Sequence, residues 1–159
     1  MTLTKTQAAY IAAILDGEGM ITIRRSVRAP STLMHSPNAN ASYGVVVVVS
    51  NTAEPLISWL RTTTKMGYVF CTNYKPTMHK PIHVWRLRNH ETLSIIPQVL
   101  PYLIIKRRQA EIALAFCDKP DFRRRRGHKG RGIPTLPPAE VARREALYRE
   151  SRQLNKRGI

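Results

Sequence analysis

Tyr10-Ile11-Ala12-Ala13-Ile14-Leu15-Asp16-Gly17-Glu18-Gly19-Met20-Ile21 is the stretch on which the fold of this chain turns. Its small residues, Ala12 and Ala13, let another backbone come close to a helix. That helix runs out in two acids separated by one glycine. The C-terminal end of a helix is the negative end of its dipole, so an acid there gains nothing from the backbone. Taken alone, Asp16 and Glu18 are turn acids at a helix end. A carboxylate beside helix-end carbonyl oxygens is also a hard donor set that suits Mg²⁺.

On the N-terminal side, Thr4 to Leu15 has helical periodicity, with Thr4 or Thr6 as cap and Ala8, Ile11, Ala12, Ile14 and Leu15 on the apolar face. Gly17 or Gly19 is expected to stop the helix in the left-handed conformation that glycine tolerates. Beyond it, Met20 to Arg28 alternates as a strand, with Thr22, Arg24, Ser26 and Arg28 on one face. Residues 29–42 are rich in Pro, Ser and Asn and read as a loop. Tyr43 to Ser50 is a β-branched strand. Thr52 to Thr63 predicts a second helix, and Gly67 to Asn73 and Ile82 to Arg88 predict two more strands. Thr92 to Leu100, interrupted by Pro97, and Leu103 to Cys117, after Pro101, predict two further helices. The order is αββαββαα, with no internal repeat. Ala139 to Lys156 reads as a last, charge-laced helix with Leu147 and Leu154 as apolar anchors.

The 159 residues suit one compact domain, and 43% hydrophobic content supports a real core. Within it we expect a core over 1–118, a basic Pro/Gly-rich linker over 119–138 and a C-terminal helix over 139–159. Lys and Arg outnumber Asp and Glu by 26 to 10, a net charge of +16. A self-repelling surplus of that size points to a polyanionic partner, nucleic acid first. No apolar run approaches the roughly 20 residues needed to span a bilayer, and no lipid-facing basic helix is evident. Two cysteines, Cys71 and Cys117, make neither a disulfide framework nor a zinc-type pair. No export signal follows Met1, so an intracellular protein is expected, in cytoplasm or nucleoid, with an organelle left open. Arg88-Asn89-His90-Glu91 looks superficially like part of an HNH motif but lacks the second histidine, so it reads as a strand-to-helix turn. His79 and His83 have no third ligand nearby, and no phosphate-binding glycine loop or nucleophile triad is apparent.

The string Ile11 to Gly19 resembles, position by position, the LAGLIDADG motif of homing endonucleases. Ala13 stands where that family often has Gly, and Glu18 where Asp is commoner. The predicted element order is also that of the family's core. Asn51-Thr52, Gly67-Tyr68 and Pro101-Tyr102-Leu103-Ile104-Ile105-Lys106-Arg107-Arg108-Gln109-Ala110 carry the likeness through residues 5–118. The resemblance implies an α+β fold of αββαββα type with an antiparallel DNA-binding sheet, plus a basic C-terminal extension.

It also implies a sequence-specific double-strand DNA endonuclease of the kind that serves intron homing, cutting a long pseudo-palindromic site and leaving 3′ overhangs. Chains with one motif act as homodimers, with the motif helices packed at the axis; Ala9, Ala12, Ala13 and Asp16 would lie there. Glu18 and the Gly17 carbonyl would hold Mg²⁺, with Mn²⁺ or Ca²⁺ as substitutes. Lys106 matches a lysine near the scissile phosphate; alone it is one residue of a Lys-Arg-Arg patch. Asn51 matches a polar residue that orders active-site water; alone it is a helix cap. DNA contacts would come from Thr22, Arg24, Ser26 and Arg28, from Tyr68, Phe70 and Thr72, with Tyr74 extending that face, and from Arg86 and Arg88, with Val84 on the same face. Arg107, Arg108 and the arm Arg123, Arg124, Arg125 and Arg126 would add to them, although that arm also reads as a solvated tail. The second strand offers only Val46 and Val48, either as contacts to thymine methyls or as a region of poor specificity. The alternative function is a non-cleaving domain that binds intron RNA as a splicing maturase. A small ribosome-associated protein would explain the charge but not the acid-Gly-acid-Gly helix end.

Overall fold

A computed structural model describes residues 2–26, 42–72, 80–118 and 137–156. In chain order the elements are α1 (Lys5–Glu18), β1 (Gly19–Ser26), β2 (Ser42–Asn51), α2 (Glu54–Thr64), β3 (Tyr68–Thr72), β4 (Ile82–Leu87), α3 (Asn89–Val99), α4 (Arg107–Cys117) and α5 (Pro138–Leu154), with a 3-10 turn at Leu100–Tyr102. The expected order of elements is thus present. Arg28, Tyr74 and Arg123 to Arg126 lie outside the described residues.

The four strands form one antiparallel sheet in the order β1-β2-β4-β3. Ile21 and Ile23 of β1, Val45, Val47 and Val49 of β2, and Trp85 and Leu87 of β4 share one face and are buried against the helices. Ile11 and Leu15 of α1, Ile57 and Leu60 of α2, Ile95, Ile96 and Val99 of α3, and Ala110 and Ala113 of α4 complete that core. The opposite face of the sheet carries no described helix.

The start of α1 is fixed locally. Thr4 Oγ1 accepts the Gln7 N–H at 3.2 Å, and the Thr4 N–H donates to Gln7 Oε1 at 3.0 Å, a reciprocal capping box. Helix α1 stops at Gly19, one of the two glycines expected to end it, but not in the expected left-handed conformation. The helix continues through Glu18, and Gly19 is extended (φ −88°, ψ 162°) rather than left-handed. The glycine is needed for close approach instead: a Cβ there would lie 2.7 Å from both Cα and O of Leu15. The chain can therefore turn from helix straight into strand. Two further boundaries shift. Residues 103–106 are not helical, and α4 begins only at Arg107; the N–H groups of Ile104, Ile105 and Lys106 go to Asp16. Arg88 leaves the strand as the N-cap position of α3, its N–H donating to Glu91 Oε2 at 2.6 Å. The other oxygen of Glu91 accepts the Gly67 N–H at 3.0 Å. Gly67 has φ +80°, and a Cβ on it would strike Trp85 Nε1 at 2.5 Å.

Helix α5 packs on β1 and α4. At its N-terminal end the buried Glu140 receives Arg143 (2.9 and 2.8 Å) and Arg144 (2.7 Å). Arg143 also donates to the Ala115 carbonyl at 3.0 Å, and Arg144 lies 5.3 Å above the Phe116 ring. At its C-terminal end, Ser151 Oγ accepts the Ile23 N–H at 3.0 Å, and Asn155 Nδ2 donates to the Ile21 carbonyl at 3.2 Å. These bonds close the free edge of β1, whose backbone groups would otherwise be open to another strand.

Two measurements check this packing. Hydrogen bonds from Arg143 oppose the cost of burial and, with the Arg144 bond and both cations, hold the Glu140 carboxyl at about 2, below its ordinary 4.5. A depressed folded-state pKa stabilises above the unfolded value and loses that contribution as pH falls through the folded one. Glu140→Gln should therefore cost about 2–3 kcal/mol at pH 6 in urea titrations, a gap that closes as pH drops from 4.5 toward 2. Gly19→Ala should cost about 2 kcal/mol or more, because the clash is with backbone. Gly17→Ala, where a Cβ meets nothing within 4 Å, should instead stabilise by roughly 0.5–1 kcal/mol.

Candidate functional site

The end of α1 collects the residues singled out by the motif. Asp16 is the anchor. Its Oδ2 accepts the N–H groups of Ile104 (2.7 Å) and Ile105 (3.2 Å), and Oδ1 that of Lys106 (2.8 Å). Burial pushes this carboxyl up, but the three backbone bonds and the Lys106 cation outweigh it and hold the pKa below the ordinary value. The Lys106 ammonium donates to the carbonyl oxygen of Asp16. It thereby caps one of the last four carbonyls of α1, which have no partner within the helix, and places a cation at the negative end of the dipole. Lys106 is neither a loose surface cation nor remote from the motif: its side chain lies one peptide from Gly17.

Glu18 is different. It is exposed, and no described side chain pairs with its carboxylate. The other described acids are accounted for. Asp16, Glu91, Glu111, Glu140, Glu145 and Glu150 accept hydrogen bonds or ion pairs. Asp118 lies near Arg143, and Glu54 sits in the first turn of α2, where the dipole favours an anion. Glu18 alone stands at the unfavourable end of a helix without a described counter-charge. Its carboxylate and the Gly17 carbonyl, also in the last turn of α1, are hard oxygen donors of the type that Mg²⁺ and Ca²⁺ take. No described group of three or more His, Cys, Asp or Glu residues could hold a metal.

Asn51, at the end of β2, accepts the Ala53 N–H on Oδ1 at 2.8 Å and so shapes the entry to α2. Since Gly19 pairs with Val49, Asn51 lies at the end of the sheet where α1 finishes. Ala12 is fully buried in the protomer's own core, so it faces inward and not toward a partner. The exposed small residue on α1 is Ala13, with Ala9 half-buried. Two large apolar residues beside Asp16 are strongly exposed, Ile104 at 88% and Ile105 at 70%.

The helix-free face of the sheet receives the residues that alternation selects. Thr22, Arg24 and Ser26 lie on it from β1, paired with Val46, Gly44 and Ser42 of β2. Val48 pairs with Arg86, and Arg86 with Tyr68; Phe70 and Thr72 follow on β3. Some expectations change in detail. The Thr22 hydroxyl lies 3.2 Å from Ser151 Oγ, so α5 already engages it. Val46 is nearly buried and presents little surface. Arg88 is off the strand, as described above. Arg107 pairs with Glu111 at 3.5 Å, and Arg108 binds Glu150 of α5 at 2.6 Å and Glu111 at 3.3 Å. Arg108 therefore ties α4 to α5 rather than projecting freely. Among the described residues Arg24 and Arg86 have no ion pair. Sequence reasoning missed two members of this face. Met20, which is absent from the polar face read from sequence, shares the parity of Thr22 and is exposed. Asn89, in the turn set aside above, lies with its amide about where a side chain on Gly44 would reach, 3.8 Å away.

The anchoring role of Asp16 can be measured. Asp16→Asn replaces two acceptor oxygens by one and removes the charge. It should cost about 2 kcal/mol of stability, with faster amide exchange at Ile104, Ile105 and Lys106.

No family model and no curated protein matches the sequence. Solved structures do. The homing endonuclease I-CvuI in complex with its target in the presence of 2 mM Ca superposes with a TM-score of 0.72 at 18% identity, covering 98% of this chain and 85% of that one. The archaeal intron-encoded homing endonuclease I-Vdi141I complexed with DNA gives a TM-score of 0.72 at 12% identity, covering 97% and 87%. The I-SmaMI LAGLIDADG homing endonuclease bound to cleaved DNA gives 0.63 at 12% identity, covering 94% of this chain and 45% of that one. The motif at the end of α1, the sheet it feeds and this agreement over nearly the whole chain give one result: the chain has the LAGLIDADG homing endonuclease fold.

Proposed function

We propose that this chain is a divalent-metal-dependent DNA endonuclease that works as a homodimer and hydrolyses one phosphodiester in each strand of a long, pseudo-palindromic site. The observation that supports this reading best is Glu18, an exposed carboxylate with no described counter-charge at the negative end of α1. A bound divalent ion would polarise the scissile phosphate and lower the pKa of the attacking water. Glu18 and the Gly17 carbonyl would hold it. Lys106, kept beside them through Asp16, would offset negative charge that grows on the phosphate in the transition state. Asn51 would bind water at the same end of the sheet.

The homodimer belongs to the same proposal, and exposed apolar surface beside the motif supports it. The donors described on one protomer are too few for a closed metal site. Ile104 and Ile105 flank the motif end, and Tyr10 is half-exposed one turn before Ala13 on α1. A second copy seated there would cover them and bring its own Glu18 near the first. Two such carboxylates would repel unless cations lay among them. The helix-free face, with its unpaired arginines, would lie on the major groove, and the basic segment from Arg123 would add phosphate contacts and salt dependence. The homing endonuclease I-CvuI is in complex with DNA in the presence of Ca in one structure and of Mg in another, and the same classes of partner and ion are proposed here. Service in intron homing and an intracellular setting belong to the same proposal.

The test is cleavage of a plasmid library with and without Mg²⁺. The wild type should make double-strand cuts with 3′ overhangs that depend on the metal. Glu18→Gln should reduce cutting by about 10²-fold or more without loss of DNA binding, and Ile105→Asp should shift the protein from dimer to monomer in sedimentation. Tight binding to intron RNA with no cutting under any metal would replace the endonuclease by the maturase reading.

A further inference from the structure

The helix-free face of the sheet has an apolar stripe at its centre. The register sets Met20 opposite Val48, Val48 opposite Arg86, and Arg86 opposite Tyr68. Phe70 follows Tyr68 on the same face, and the two rings stack with centroids 5.7 Å apart and planes at 22°. Met20 is 44% exposed, and Tyr68 and Phe70 are 38% exposed each. These side chains are therefore apolar and yet partly open to water. They form a wettable apolar strip on a chain with a net charge of +16. Arg86 lies in this row between Val48 and Tyr68, so Met20 and Val48 stand on one side of its cation and the stacked Tyr68 and Phe70 on the other. Arg24, beyond Thr22 on β1, and Arg86 have no ion-pair partners among the described residues, so their positive charge is left for an anion from outside. Exposed apolar side chains set among unpaired cations mark a contact site.

We propose that this stripe reads the C5-methyl groups of pyrimidines in the DNA major groove, so that the half-site carries thymines where Met20, Val48 and Phe70 lie. This rests on the DNA-binding reading above and adds its base preference. The major groove is lined by hydrogen-bond donors and acceptors, and its one apolar feature is the thymine methyl. An apolar side chain distinguishes thymine only through that methyl, because Val, Met and Phe offer nothing to the other base edges. Cytosine methylated at C5 presents the same group and is accepted in the same place.

The experiment is selection of bound duplexes from a random library with the full chain, followed by replacement of each selected thymine by deoxyuridine. Thymine and uracil have identical hydrogen-bonding edges, so only the methyl changes. The proposal expects affinity to fall by about fourfold at each thymine that faces the stripe, the worth of one buried methyl, and expects 5-methylcytosine to bind better than cytosine there. Val48→Gln, which removes both methyl groups, should abolish the uracil penalty at one position while leaving the others. Equal affinity for thymine and uracil at every position in a selected site would overturn the methyl inference and leave the endonuclease reading intact. Failure to enrich any duplex would overturn both. A penalty unchanged in Val48→Gln and in Phe70→Gln alike would also overturn it, because the methyl would then be sensed elsewhere.

Discussion

A single carboxylate, that of Asp16, joins two segments 90 residues apart in sequence. Its two oxygens take up three consecutive N–H groups, from Ile104 to Lys106. They lie just ahead of α4, which begins at Arg107. The same arrangement brings the Lys106 ammonium onto a terminal carbonyl of α1. Backbone donors and a cation thus offset the charge of Asp16 and part of the helix dipole. Glu18, two residues on, receives neither. One acid of the motif is structural and the other is left open, and that division gives the end of α1 its chemical character.

The sheet depends on a second constraint, the direct passage from α1 into β1. Gly19 has no room for a side chain against Leu15, so the helix axis and the strand meet without a loop. Every later position on β1 inherits its parity from this junction. Ile21 and Ile23 go to the core, whereas Met20, Thr22 and Arg24 go to the helix-free face. The β2 and β4 registers carry that division across the sheet, ending in the stacked Tyr68 and Phe70. Helix α5 then removes β1 as a free edge. Its contacts with the rest of the chain are mixed: Arg108 to Glu150 and Arg25 to Glu145 are charged, Ser151 and Asn155 bond the β1 backbone, and Tyr148 packs edge-on against Tyr43. Basic residues therefore fall into two kinds. Some build the protomer, and others, such as Arg24 and Arg86, remain available to a partner.

That distinction shows where sequence reading reached its limit. Helical periodicity in Thr4 to Leu15 and alternation in the strands are local properties, and they located the elements and assigned Thr22, Arg86, Tyr68 and Phe70 to one face. Local signals misplaced what depends on distant chain. Ala12 looked available because it is small, but a neighbouring layer buries it. Leu103 to Lys106 looked helical because nothing in those residues announces an acceptor at Asp16. Arg108 looked free because Glu150 lies 42 residues away. Met20 is apolar, yet its parity with Thr22 puts it on the helix-free face.

The amino-acid sequence by itself determined the motif, the order of helices and strands, and the excess of positive charge. These follow from the spacing of neighbouring side chains and from composition, which need no tertiary partner. Only the folded chain decided which acid is bound and which is bare, which small residue faces outward, and which arginines are paired. Each of those outcomes is set by a hydrogen bond or a steric contact between segments far apart in sequence, and such contacts exist only once the layers have packed.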